Sequence, residues 1–303
     1  MADSGSTRAI TAALGANVGI AVAKFVGYLL TGSSAMLGEA VHSVADAANE
    51  LLLMVGKRQA RRRPDALHQF GYGRSRYFYS FVVALLLFTL GSAFTLYEGC
   101  RKITHPEPLS TPLAAVVILV VSALFEGYSL RTARTQSRPL KGSSSWWGFV
   151  RTTRTPELPV VLLEDSAALI GLSLAFGGVA VTAITGNAVW DGVGTVGIGV
   201  LIGGVATLLV IETHSLLIGE GATRAQYTTI RSALETVDQV DRVVDMRTQY
   251  LGPEELLVAA KVVFDPRMRM ATVTEAIDAA EVEVRAAVPA VRVIYLQPAA
   301  GRR

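Results

Sequence analysis

The sequence predicts a six-helix α-helical transmembrane bundle followed by a small cytoplasmic α/β domain. Three observations carry that expectation. The residues are 51% hydrophobic and only 17% charged, against roughly 25% charged in an average soluble domain, and mean hydropathy is +0.41. Six apolar stretches reach the roughly 20 residues that a bilayer core demands. From about Gly221 the chain turns charged and mixed, which divides it into a membrane part, 1–220, and a soluble part, 221–303.

The first predicted span runs about Ala9–Leu30 and contains Asn17 and Lys24. The second runs about Ser34–Gly56 and holds the polar stretch GEAVHSVADAANE. The third, about Tyr77–Tyr97, carries no charge, and the fourth, about Pro112–Leu130, contains Glu126. The fifth, about Leu158–Thr182, contains Glu164 and Asp165. The sixth runs about Val189–Ile211, with Asp191 as its expected N-terminal cap and many glycines for close helix packing.

Lys and Arg set the orientation. The loops KRQARRRPD and RTARTQSRPLKGSSSWWGFVRTTRTPE are basic, whereas LTGSS and ITGNA carry no charge. Despite Arg101 and Lys102 after the third span, this balance places both termini and both basic loops in the cytoplasm. Trp146 and Trp147 are expected to anchor their loop at the membrane interface. The tail reads as helix Ala225–Thr236, strands Val240–Tyr250 and Leu256–Phe264 around a Gly252-Pro253 turn, helix Val273–Ala287 and strand Val291–Leu296. That order, αββαβ, suits a compact sheet with helices on one face.

Composition excludes several classes. The single cysteine, Cys100, allows no intrachain disulfide and no cysteine-based zinc site. The net charge of +3 sits beside apolar spans, where membrane topology explains it better than nucleic acid does. The start, MADSGSTRAI, lacks a basic segment ahead of a cleavable apolar core, so no leader is expected. No HExxH helix and no spaced Ser–His or Cys–His pair argues for an enzyme.

The polar stretch is the informative anomaly. Glu39, His42, Asp46 and Asn49 stand at i, i+3, i+7 and i+10, so all four share one helix face. Ionisable groups within a span are costly unless paired, hydrated or bound to a cation. His42 and Asp46 are one turn apart, a spacing that lets imidazole and carboxylate bind one divalent ion, and a tetrahedral site needs further donors from another helix. Glu164 and Asp165 offer them. Both groups lie about 9–18 Å from opposite faces of a core about 30 Å thick, so they can meet near its middle. Hydrogen bonding between helices is the bland alternative; a His–Asp pair with two carboxylates at matching depth favours a cation site.

Three of these stretches carry a family resemblance. TGSSAMLGEAVHSVADAANELLL resembles the second-helix signature of the cation diffusion facilitator family, PDALHQFGYGR its following loop, and LLEDSAALIG its fifth-helix segment. The tail resembles its cytoplasmic ferredoxin-like domain, and the zinc transporter nine-like branch is the most similar. The resemblance implies a homodimeric, proton-driven exporter of divalent metal, most often zinc, in which the zinc ion is the transported substrate. It maps the transport site onto His42, Asp46 and Asp165. The fifth-helix position that is often His in zinc-transporting members is Val161 here, leaving Glu164, Glu39 or Asn49 to complete the site.

Weaker signals surround this core. Asp65 and His68 form a possible second metal site, with Tyr72 where another His would complete it; the alternative is a turn closed by Gly71 and Gly73, with Arg74 on lipid phosphates. Glu126 pairs with Lys24, is hydrated, or lies on a cation path. Residues 221–303 contain no His or Cys, so the tail is expected mainly to dimerise. Manganese, iron, cobalt or nickel as cargo, or a membrane sensor or scaffold that binds metal without moving it, remain rival readings. The high Ala, Arg and Val content points to a bacterial plasma membrane.

Overall fold

A computed structural model describes residues 2–31, 34–106 and 112–299, with the side chains of 2–3, 30–31, 34–39, 42 and 112–115 outside that description. The chain divides into two compact units, Met1–Arg58 with Arg76–His214, and Gln59–Ser75 with Ser215–Arg303.

The first unit is helical. It contains α1 (Ala2–Thr31), α2 (Ser34–Ala60), α3 (Ser75–Leu86), a π-helical turn over Leu87–Ala93, α4 (Phe94–Thr104), α5 (Pro112–Lys141), a short α6 (Trp146–Thr152), α7 (Glu157–Thr185) and α8 (Val189–Ile218). The last residues of α2 and α8 fall outside this unit's bounds. Among the described residues five helical stretches are long and apolar enough to cross a membrane: Ser4–Leu29, Ser75–Thr104, Val116–Lys141, Glu157–Thr185 and Val189–Ile218. Their apolar surface faces outward as well as inward. Only 17% of the most apolar window of α8 is buried, and Val22, Leu124, Phe176, Ile184 and Val200 are exposed. A helix hydrophobic all round belongs in lipid. Inside, Ile10, Leu53, Val83, Leu130, Leu158, Val161 and Leu209 form one core.

Several helices run past the predicted spans. The basic segment after Leu130 continues α5 to Lys141, with Pro139 in its last turn. Hydropathy marks where a helix leaves lipid, whereas Arg, Gln and Ala sustain a helix beyond it. Close packing of α4 and the π turn on α8 uses glycine. A methyl at Gly99 would lie 2.7 Å from the Val196 backbone nitrogen, and Ser92 Oγ donates to the Gly199 carbonyl at 2.8 Å. Asp191 does not serve as the expected cap. Its carboxylate pairs with Lys102 Nζ at 2.9 Å, and Asn187 Oδ1 accepts from the Val189 N–H at 3.1 Å, because a side chain two residues ahead of the helix reaches the open N–H groups that one within the first turn cannot.

The second unit contains α9 (Arg224–Glu235), β1 (Val240–Gly252), β2 (Glu255–Phe264), α10 (Met270–Ala287) and β3 (Val291–Ala299), the predicted αββαβ order. The sheet order is β1-β2-β3. The β1–β2 hairpin is antiparallel, with Val243 opposite Val262, and β2 and β3 are parallel, with Val258 opposite Ile294, joined through α10 as a parallel pair requires. Alternate residues Val258, Ala260 and Val262 are buried with Ile230 and Leu234 of α9 and Ala280 and Val284 of α10. Thr223 and Gln226 form a reciprocal capping box that starts α9.

Candidate metal site

Helix α2 carries Lys57 and Arg58 in its last turn, where cations suit the negative helix end. Glu39 and His42 lie on this helix, with side chains outside the described set. Further along, Asp46 is half-buried, Asn49 is buried and Glu50 is 1% exposed. Both Glu50 carboxylate oxygens are buried without a hydrogen-bond partner.

Helix α7 brings Glu164 and Asp165 into the bundle. Asp165 is buried and accepts from Ser129 Oγ of α5 at 2.7 Å. Both Glu164 carboxylate oxygens are buried and lack a hydrogen-bond partner. Glu126 of α5 is buried as well. Glu164 feels the charges of Glu50, Asp46, Asp165 and Glu126, that of Glu50 most strongly, and Glu126 feels those of Asp165, Asp46 and Lys24. Lys24 donates to Ser43 Oγ at 3.0 Å. Three helices thus gather five carboxylates into one electrostatic neighbourhood. Among the described residues, which leave out the His42 side chain, no three His, Cys, Asp or Glu groups stand close enough to hold a metal ion together. Val161, one turn before Asp165, is fully buried in the apolar core.

Glu50 is the residue that the sequence reading misses. It stands four residues after Asp46 and falls at about 20° on the wheel that has Glu39 at zero, so the same angular arithmetic places it on the polar face. A second set, also missed, closes one end of the bundle. Arg76 at the start of α3 meets Glu157 at the start of α7 through Nε–Oε1 at 2.5 Å and Nη2–Oε2 at 2.8 Å, both side chains buried. Lys57 donates to Ser6 Oγ and Thr7 Oγ1 of α1, each at 2.6 Å, and Arg76 reaches the same Ser6 Oγ at 3.4 Å.

In the second unit Asp65 and His68 come together, Nδ1 to Oδ1 at 3.4 Å. Asp65 Oδ1 also accepts from the N–H groups of Leu67 and His68, and Oδ2 accepts from Tyr72 O–H at 2.6 Å. The Tyr72 hydrogen bond, then the His68 backbone N–H, holds the Asp65 carboxyl down at about 2. Tyr72 stacks on His68 and lies beneath the Arg62 guanidinium. Gly71 adopts φ +80°, a conformation that favours glycine. Gly73 packs on the β1–β2 turn, where an added methyl would lie 2.7 Å from the Leu251 carbonyl. The loop is a closed turn, with both Asp65 oxygens engaged.

Residues 10–218 match the family model described as the cation efflux transmembrane domain, and residues 222–297 that of the cation efflux protein, cytoplasmic domain. The chain is 33% identical over 247 residues to the mitochondrial proton-coupled zinc antiporter SLC30A9 of Xenopus laevis, a match covering 81% of this chain and 44% of that protein. It is 34% identical over 271 residues to metal tolerance protein C4 of Arabidopsis thaliana, covering 88% and 59%. A shorter match, 36% identical over 117 residues, links it to zinc transporter ZitB of Pectobacterium atrosepticum, covering 38% and 36%. The chain spans less than half the length of the SLC30A9 relative.

Proposed function

The chain belongs to the cation efflux family, and on that premise we propose that it is a secondary transporter, not an enzyme, that exports a divalent cation, zinc foremost, in exchange for protons. The observation that carries this reading is the set of buried carboxylates, Asp165, Glu164, Glu50 and Glu126, on α2, α5 and α7 of an otherwise apolar bundle. Uncompensated charge there costs several kcal/mol, of the order of 3 or more, so such groups are retained for cations or protons. The relatives named as zinc transporters support the same cargo.

In this reading α2 is the sixth span. Its polar face, with Glu39, His42, Asp46 and Glu50, sets it apart from the five apolar helices. The membrane part covers 1–220 and a ferredoxin-like cytoplasmic domain 221–303. Both termini face the cytoplasm of a bacterial plasma membrane, and two copies pair through the tail. His42, Asp46 and Asp165 bind the ion, with Glu164, Glu39 and Asn49 as further candidates.

Proton coupling follows from ligand chemistry. Imidazole and carboxylates bind metal only when deprotonated and take protons back when it leaves. Imidazole titrates near neutral pH when unperturbed. Binding on one side, rocking of the bundle and protonation on the other complete an exchange cycle. Glu126 lines the cation path in this reading. Asp65 and His68 stay a weaker candidate for a second site, since the loop already satisfies the carboxylate.

The test is a pH-sensitive dye inside proteoliposomes under an imposed zinc gradient. Proton movement opposite to zinc supports antiport. Zinc binding with no flux of either ion would favour a sensor or scaffold, and larger fluxes of manganese, iron, cobalt or nickel would change the cargo.

A further inference from the structure

We propose that Glu50 and Glu164 are direct ligands of the transported cation, forming an oxygen-donor station one helical turn from Asp46 towards the bundle end closed by Arg76 and Glu157. The inference rests on the transport reading above and extends its site by a residue, Glu50, that no motif points to.

Helix direction supplies the geometry. Helix α2 runs towards that closed end, where Lys57 lies, so Glu50 is about 6 Å nearer to it than Asp46. Helix α7 runs away from it, starting at Glu157. One turn from Asp165 towards the same end stands Val161, fully buried and without a donor atom. At this level α7 therefore offers no ligand on the Asp165 face, and α2 offers one on the Asp46 face. Glu164, one residue and about 1.5 Å from Asp165 towards the same end, supplies the carboxylate of α7 that Glu50 meets from α2.

Burial supplies the reason to expect a ligand. Glu50 is 1% exposed, and all four oxygens of Glu50 and Glu164 are buried with no hydrogen-bond partner among the described residues. Asp165 differs, because Ser129 already satisfies one of its oxygens. Buried carboxylate oxygens left open in this way are met either by a proton or by a bound cation, and the cargo class of the family is a cation. Carboxylate oxygens favour harder divalent ions such as manganese over softer ones, and two carboxylates with water complete an ion's shell readily. The station therefore sets cargo preference: it raises affinity for oxygen-seeking ions relative to zinc.

The test uses the full chain in detergent, with manganese binding read by electron paramagnetic resonance and zinc binding by competition with a chelating dye. Glu50→Gln and Glu164→Gln, nearly isosteric, are each expected to weaken manganese binding at least tenfold and zinc binding less, shifting the manganese-to-zinc affinity ratio. A purely structural role would not move that ratio. Unchanged affinity for both metals in both variants overturns the proposal. The transport reading is tested separately by Asp165→Asn: loss of flux there, together with unchanged binding in the two Glu variants, would remove only the station.

Discussion

Arg76 and Glu157 form a two-pronged buried ion pair across 81 residues of sequence, joining the starts of α3 and α7. Through Ser6 it touches α1, and through Ser6 again it meets Lys57 of α2. Four helices are tied at one end of the bundle by charge and hydroxyl groups that water does not reach.

Breaking that pair leaves an uncompensated buried charge. Glu157→Ala is expected to destabilise the purified protein by about 3–5 kcal/mol, read as a lowered Tm in detergent. Glu157→Ala with the stability of wild type would mean that the guanidinium finds another partner and that the tie is dispensable.

The loop between α2 and α3 makes a pH prediction. Asp65 is held down at about 2, below the ordinary aspartate value of 3.8. A depressed carboxyl favours the folded loop above about pH 3.8, and this contribution fades as pH falls through about 2. Tyr72→Phe removes the largest cause, so Asp65 should titrate closer to its ordinary range. Carboxyl carbon NMR, assigned by difference with Asp65→Asn, measures it; an unmoved titration would assign the depression to the backbone N–H groups instead.

The same loop depends on a left-handed glycine. Gly71→Ala places a Cβ at φ +80°, at a cost of about 1 kcal/mol or more. Hydrogen exchange over residues 59–75 should speed up while the β1–β3 sheet keeps its protection. Equal protection of the loop in both proteins would contradict that conformation.

Helix α4 meets α8 at a distance that only glycine permits. At Gly99 an added methyl would lie 2.7 Å from backbone, not from a movable side-chain tip. Gly99→Ala should cost about 1–3 kcal/mol by overpacking. A Tm equal to wild type would show that the two helices separate freely.

Much of this architecture is legible in the residues alone, because the signals involved are periodic or local. The αββαβ tail follows from alternation at Val258, Ala260 and Val262 and from turn chemistry at Gly252. The polar face of α2 follows from angular spacing. Helix ends are less legible: α5 reaches Lys141 because helix propensity outlasts hydropathy. The Arg76–Glu157 pair is invisible because nothing local marks which of many cations and carboxylates will be buried together. Glu50 lies between these cases. Its angle is readable, but only its burial, with both oxygens open, separates it from a glutamate at the membrane interface. Asp191 is a case in which a local capping reading yields to a tertiary partner, Lys102.

The central claim is that carboxylates meeting between α2 and α7 carry a divalent cation through the bundle. The most direct measurement compares zinc flux into proteoliposomes for wild type, Asp46→Asn and Asp165→Asn at one fixed proton gradient. Flux at least a hundredfold lower in each variant, with the protein still folded and inserted, is the expected result. Flux equal to wild type in both would place the cation path elsewhere and leave these buried acids without a part in transport.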